Sequence, residues 1–364
     1  MAAELPVTEF LRGVLPALPW SAGSRLPASA TAKLTGDTVR AARVPAGVHL
    51  AFSGSAQAVE VAVRPGMRTS VPAPTLAGEA FVARVPGQPA VTVPVPGQPA
   101  RIRVPLPARD PDTVVRLYLP EAVEVQLDSL SAVGGDLVPA PRGPLWVVYG
   151  DSISQGWSVT EPGLAWPSLV AQELGLDLVN LGFAGSARGE LLAADVVGAS
   201  GADAVALAWG TNNWSSLPTD ATVIGGTMRL FLTALRQGLP DAPVVVISPI
   251  VRPDGEDTPN RFGATLRDLR TALEEAVLRF AADTGDQRLT LVPGRDLVAA
   301  GQLVDGIHPG DDGQRSLADG ALPHVAAGLG LTAAHSHLRF LGTRVRRQAW
   351  TVARHSGSTA RWRS

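Results

Sequence analysis

Cysteine is absent from this sequence. That removes disulfides, thiolate metal sites and a cysteine nucleophile at one stroke. It also removes any reading of redox compartment, to which a chain without thiols is indifferent. Lysine is nearly absent: Lys33 stands alone beside thirty arginines. No run of about 18 uncharged apolar residues occurs, so no membrane span is expected. The start, Met1-Ala2-Ala3-Glu4-Leu5-Pro6, lacks the basic stretch and long apolar run of a secretory signal. Cytoplasm is therefore the default expectation. A net charge of −2 supplies no global field toward nucleic acid or an anionic membrane. What remains is 364 residues, 45% of them hydrophobic. That is ample for a core, argues against disorder, and is longer than one ordinary domain needs.

Residues 1–140 read as all-β. Short alternating runs recur at Val59–Val63, Phe81–Val85, Val91–Val93, Arg101–Val104 and Val114–Leu119, the mark of half-buried strands. Pro-Gly pairs at 65–66, 86–87 and 96–97 punctuate them as tight turns. The hexapeptide Val-Pro-Gly-Gln-Pro-Ala occurs at 85–90 and again at 95–100. Its ten-residue spacing is one strand plus one turn, which suggests successive hairpins. A β-sandwich of jelly-roll type is expected.

Pro139-Ala140-Pro141-Arg142-Gly143-Pro144 reads as a linker. From 144 to 330 the pattern changes. Apolar strands at Leu145–Tyr149, Leu178–Leu181, Ala204–Trp209, Val244–Ile247 and Leu289–Val292 alternate with helical spacings. Examples are Trp166, Leu169, Val170 and Leu174, then Leu266, Leu269, Leu273, Val277 and Phe280. Such alternation predicts a parallel sheet with right-handed crossovers and chemistry at the strands' carboxyl ends. Ser152, Gly185 and Asn212 each follow one of the first three strands. The segment 331–364 holds seven arginines and no acidic residue. It reads as a loosely ordered basic tail, and His335-x-His337 within it lacks the acidic or cysteine neighbours of a metal site.

The strand at Leu145–Tyr149 ends in Gly150-Asp151-Ser152-Ile153, with a serine at its lip. Far downstream comes Asp305-Gly306-Ile307-His308. A serine hydroxyl is a poor nucleophile until a base takes its proton, and the base needs a partner to fix its tautomer. Ser152, His308 and Asp305 can fill those roles. The spacing of three lets one loop present acid and base together. A histidine base must be neutral, so activity is expected to fall below about pH 6.5. The Gly-x-Ser-x-Gly elbow of α/β-hydrolases is missing. Donors for a tetrahedral oxyanion are offered by the turn Asn180–Ser186 and by the amide in Trp209-Gly210-Thr211-Asn212-Asn213.

Gly150-Asp151-Ser152-Ile153, Gly185, Gly210-Thr211-Asn212 and Asp305-x-x-His308, in that order, resemble the four blocks of the SGNH/GDSL hydrolases. The resemblance covers somewhat under half the chain. Two positions depart from the pattern: Ile153 for the usual leucine and Asn213 for a frequent aspartate. The resemblance implies a three-layer, flavodoxin-like α/β/α domain and acyl-ester chemistry without metal or cofactor. It implies Ser152 as nucleophile and first oxyanion donor, Gly185 and Asn212 as the other donors, His308 as base and Asp305 as its orienting acid.

Plainer roles compete at several positions. Ser152 could cap the helix that follows it, and Asp305 could cap a turn. Gly182 reads as a backbone necessity, Asp311-Asp312 as a helix cap, and Glu274-Glu275 as a solvated helix face. Trp166 is expected to pack under its helix. Trp157, Trp214 and Asn213 are candidates for lining a substrate pocket. The leading expectation is an esterase or deacylase acting on a carbohydrate or small-metabolite ester. An acyltransferase that decorates a hydroxyl is the runner-up, and an inactive carbohydrate-binding protein is the third reading. The sandwich would bind glycan, shape the rim of the site or serve an oligomer contact.

Overall fold

The structure, a computed structural model, describes residues 4–15, 24–68 and 76–331. The expected basic tail and His335-x-His337 lie outside the described residues. Among the described residues, no helix is long and apolar enough to cross a membrane.

The N-terminal part is antiparallel throughout. Its strands are β1 (Leu11–Arg12), β2 (His49–Ser53), β3 (Ala58–Arg68), β4 (Ala80–Arg84), β5 (Val91–Pro94), β6 (Ala100–Pro105), β7 (Val115–Tyr118), β8 (Val123–Val133) and β9 (Val138–Pro139). One sheet runs β1-β2-β7-β4-β5 with β9 on β2, and a smaller one runs β6-β3-β8. Alternation drives the packing. Val59, Val61 and Val63 of β3 and Val123, Val125 and Leu127 of β8 turn inward against Leu50, Phe52, Phe81 and Leu117 of the larger sheet. Each such side chain contributes about 1.5–3 kcal/mol when fully buried.

Two of the expected turns behave differently. Pro65-Gly66 lies inside β3, at a register shift between Pro65 and Arg68 where the strand bulges against β8. A bulge tolerates proline because the ladder is already interrupted there. The two hexapeptide copies also diverge. The copy at 85–90 closes the β4–β5 hairpin. The copy at 95–100 carries the chain from β5 in one sheet to β6 in the other. It is a crossover, not a hairpin, because the two strands bury their side chains in opposite walls of the sandwich.

The second part is a parallel sheet of β10 (Leu145–Gly150), β11 (Asp177–Gly182), β12 (Ala204–Ala208), β13 (Val244–Ile247) and β14 (Leu289–Val292), in the order β11-β10-β12-β13-β14. Helices cover both faces, making three layers. In chain order the helices are α1 (Val7–Phe10), α2 (Ala28–Thr31), α3 (Gly36–Ala42), α4 (Ser152–Gln155), α5 (Trp166–Leu174), α6 (Leu191–Gly198), α7 (Ala221–Gly238), α8 (Leu266–Thr284) and α9 (Asp311–Gly328). On one face α6, α7 and α8 pack with Ile224, Phe231, Leu269 and Phe280 among their buried residues. On the other, α5 and α9 enclose Trp166, Val170, Leu317 and Val325. Trp166 is fully buried and meets Trp146 edge-on, ring centroids 5.8 Å apart. The start of α8 is written in the sequence: Thr265 Oγ1 accepts from the Asp268 N–H at 3.1 Å, and Asp268 accepts from the Thr265 N–H at 2.9 Å, a capping box.

The strand order places the topological switch between β10 and β12, where an open α/β sheet forms its crevice. The expected boundary near 140 is bridged in two ways. Leu26, Ala30, Leu34 and Ala42 pack in the same core as Tyr149, Val179 and Phe183 of the parallel-sheet domain. Arg12 also donates to the Ala140 carbonyl of the linker at 2.6 Å.

Candidate active site

β10 ends at Gly150, and the chain turns at once into the single-turn helix α4. Asp151, not Ser152, is its N-cap: Asp151 Oδ1 accepts from the Ile153 N–H at 3.0 Å. The Ser152 hydroxyl is thereby free for another partner. It lies 2.8 Å from His308 Nε2. On the far side of the ring, His308 Nδ1 is 2.7 Å from Asp305 Oδ2. Asp305 Oδ1 meanwhile accepts from the backbone N–H groups of His308 at 2.8 Å and Ile307 at 3.0 Å. One carboxylate thus fixes both the bend of the loop and the ring it carries. With Nδ1–H directed at Asp305, the lone pair of Nε2 faces Ser152.

Partial burial pushes the Asp305 carboxyl up. The hydrogen bonds from the His308 ring and from the two N–H groups outweigh that and hold it below the ordinary range. The loop is closed behind the triad by a β-bridge between Leu303 and Pro309. Gln314 of α9 pins it to the turn that carries Ser152, donating to the Ile153 carbonyl at 3.1 Å and accepting from the Trp166 N–H at 2.8 Å. Asp311 does not cap α9. It accepts from the N–H and hydroxyl of Thr160, at 2.9 and 2.5 Å, and so ties the 157–164 loop to the helix that follows His308. Glu274 is likewise engaged, accepting from Ser248 at 2.7 Å and Arg295 at 2.9 Å, whereas Glu275 stays on the exposed face paired with Arg279.

The three oxyanion donors expected from the sequence are Ser152, Gly185 and Asn212. Among the described residues, the N–H groups of Ser152 and Gly185 have no hydrogen-bond acceptor. Gly185 has φ of +70° in the turn after β11, a conformation that favours glycine. The buried Asn212 amide spends one hydrogen on the Ala187 carbonyl at 3.0 Å and keeps the other. Gly182 serves the backbone: a Cβ there would lie 2.3 Å from the Gln155 nitrogen.

Of the pocket candidates, Trp157 lies beside the loop that carries His308, its ring 5.9 Å from that of His308 at 35°. Trp214 stands under the Arg252 guanidinium at 4.6 Å and donates from Nε1 to the Thr258 carbonyl at 2.8 Å. Its polar edge is already engaged by the loop after β13. Asn213 is buried, and its Oδ1 has no hydrogen-bond partner among the described residues.

The structure also brings in residues that spacing alone does not single out. Asp151 accepts from the Thr211 N–H as well as from Ile153, joining the turn that carries Ser152 to the turn that carries Asn212. Gln155 Oε1 accepts from the Ala184 N–H at 2.9 Å, and Asn180 donates to the Ser154 carbonyl at 2.7 Å. The Asp in Gly-Asp-Ser was visible as a motif member, but its second acceptor role was not. Among the described residues, no group of three or more His, Asp or Glu side chains is arranged to hold a metal ion.

Residues 148–316 match the family model described as GDSL-like lipase/acylhydrolase. This span is a GDSL-like lipase/acylhydrolase domain. All four segments that make up the site lie within it or begin at its first strand. A comparison with curated proteins by sequence finds no match. Solved structures do match. A Bacteroides ovatus protein assigned as a GDSL-like lipase superposes with a TM-score of 0.76 at 20% identity, covering 91% of this chain and 99% of its own. The salicylyl-acyltransferase SsfX3 from a tetracycline biosynthetic pathway superposes with a TM-score of 0.73 at 22% identity, covering 89% and 95%. A family two carbohydrate esterase from Clostridium thermocellum, solved with cellohexaose, gives a TM-score of 0.56 at 17% identity, covering 78% and 92%. The first two superpose over nearly their whole length. At these identities the likeness is one of fold.

Proposed function

We propose that this chain is a serine esterase or deacylase that cleaves an acyl ester of a carbohydrate or small metabolite through an acyl-serine intermediate. The observation that carries this reading is the relay Ser152 Oγ to His308 Nε2 at 2.8 Å and His308 Nδ1 to Asp305 at 2.7 Å. Ser152 attacks the acyl carbon while His308 takes its proton, and Asp305 holds the imidazolium that results. The N–H groups of Ser152 and Gly185 and the Asn212 amide receive the oxyanion. His308 then returns its proton to the leaving alkoxide, and a water repeats the cycle on the acyl-serine.

Transfer of the acyl group to a second hydroxyl uses the same steps with an alcohol in place of water. The near full-length fold likeness to an acyltransferase supports keeping that second reading. The two separate in one assay. Acetylated sugars and aryl esters are incubated with and without alcohol acceptors, and free acid and new ester are quantified. Free acid without any acceptor supports the esterase. New ester with negligible free acid overturns it in favour of transfer.

Asn212→Ala is expected to lower kcat by about 10²–10³ with little change in KM, since an oxyanion donor acts chiefly in the transition state. Steady-state kinetics on the best ester of that panel checks it.

Acid pH has a second target beside the imidazole. Burial pushes the Asp151 carboxyl up to about 6, against the pull of the N–H groups of Ile153 and Thr211. Below that pH the carboxyl takes up a proton and loosens its hold on both N–H groups, one next to Ser152 and one next to Asn212. kcat/KM is therefore expected to fall more steeply than one proton allows as pH drops through about 6. Asp151→Asn, which takes up no proton, should restore a single-proton limb. A wild-type limb of unit slope would contradict the assignment.

A further inference from the structure

β11 is the outer strand of the parallel sheet, so the carbonyls on its free edge have no strand partner. They are met by a residue from the other end of the chain. Arg25 is completely buried. Its guanidinium donates to the carbonyls of Asn180 and Gly182, the latter at 2.8 Å, where β11 runs into the Gly185 turn. It also donates to Val44 at 2.6 Å and Ala41 at 2.8 Å, and it stacks over the Phe183 ring at 5.2 Å. Further along the same turn, Arg188 pairs with Asp37 at 2.5 Å and donates to the Ser186 carbonyl at 2.9 Å. The buried Thr38 hydroxyl donates to Glu190 at 3.1 Å, and the other Glu190 oxygen takes the Tyr149 hydroxyl. Apart from the two Arg25 bonds to Val44 and Ala41 within the N-terminal segment, every one of these contacts falls on residues 180–190. That stretch holds Gly185 and the Ala187 carbonyl to which Asn212 is anchored.

We propose that residues 25–44 are a working part of the acyl-transfer centre, with Arg25 and Asp37 as positioning residues that set the 182–190 turn and, through it, two of the three oxyanion donors. This rests on the reading that Gly185 and Asn212 serve an oxyanion. The N-terminal segment is then more than an accessory. It supplies the outer clamp of the turn, while Gln155 and Asn212 supply the inner one. An oxyanion donor is worth its full effect only when held in place before the charge develops, and a displacement of about 1 Å can cost about 10²-fold.

An alkyl fluorophosphonate tests this without knowledge of the natural ester, because phosphonylation of Ser152 needs both the base and the oxyanion donors. The full chain is labelled, the adduct mapped by peptide mass, and the second-order rate followed against pH. Asp37→Asn should slow labelling about tenfold, part of the loss expected for a whole donor. The pH midpoint should stay unchanged because the base is intact. Its thermal midpoint should stay within about 2 °C, since a half-exposed ion pair contributes little to stability. Asp37→Glu should recover most of the rate. Asp128→Asn breaks the exposed Arg64 pair on the sandwich and should change neither rate nor midpoint. Arg25→Lys keeps the charge but loses the planar fork, and it should slow labelling further and lower the thermal midpoint. An Asp37→Asn protein that labels at the wild-type rate overturns the clamp. A folded wild-type protein that does not label at Ser152 overturns instead the acyl-transfer reading beneath it.

Discussion

Ser152→Ala is expected to abolish turnover, lowering kcat by about 10⁴–10⁶ while the protein keeps its fold. The size of the loss follows from the chemistry. Without the hydroxyl there is no acyl-serine, and only the oxyanion donors and ground-state binding remain to favour attack by water. The small structural cost follows from the geometry. The hydroxyl has one partner, His308 Nε2, and a single hydrogen bond is worth about 0.5–1.5 kcal/mol net. The helix that begins at Ser152 is capped by Asp151 and keeps its cap in the variant. A thermal midpoint within a few degrees of wild type, with turnover gone, is the combined result to look for. Turnover reduced only tenfold would mean that another group attacks the ester.

Asp305→Asn is expected to cost about 10³-fold in kcat/KM, and to be at least as harmful as Asp305→Ala. The reason is the tautomer. Asp305 Oδ1 accepts two backbone N–H groups, and Oδ2 accepts from the ring. An asparagine would keep the backbone pair on its oxygen and turn its NH₂ toward Nδ1. That amide can only donate, so it selects the ring form with hydrogen on Nε2, which cannot take the Ser152 proton. Alanine imposes no choice and leaves Nδ1 to water. The side chain of Asp305 is 45% exposed, so water can reach the ring, and the penalty should fall short of a fully buried triad acid. Measured kcat/KM for the two variants side by side decides it. An asparagine variant close to wild type would show that Asp305 only shapes the loop.

The parallel sheet was legible because its strands are continuous apolar runs: the expected 145–149, 178–181, 204–209, 244–247 and 289–292 differ from the observed bounds by a residue at most. β2 was not, since His49–Ser53 is covered on both faces and shows no alternation. β8 carries a clear alternation at Val123, Val125 and Leu127, yet it was not among the runs read from the sequence. Helices α7 and α9 are disguised by Gly225-Gly226 in one and by Gly313, Gly320 and Pro323 in the other. The two hexapeptide copies show the limit of local reading, for one sequence makes a hairpin at 85–90 and a crossover at 95–100.

The site divides along similar lines. Ser152, Gly185 and Asn212 were read from the sequence because the proposed chemistry needs those residue types at strand ends, and Asp305 and His308 because it needs an acid and a base presented together. The framework behind them was not. Asp151 acts on Thr211, Gln155 on Ala184 and Arg25 on Asn180 and Gly182. Each of these side chains meets a backbone group far away in the chain. A backbone N–H or C=O has no letter in the sequence, so such partners emerge only from the fold.

The claim on which all of this stands is that Ser152, driven by His308, is the reacting nucleophile. Stoichiometric treatment of the folded protein with a fluorophosphonate, followed by peptide mass mapping, addresses it most directly. One adduct per chain, on Ser152, absent in Ser152→Ala and much slower in His308→Gln, is the predicted result. An adduct on another residue, or labelling that is indifferent to His308, would contradict it.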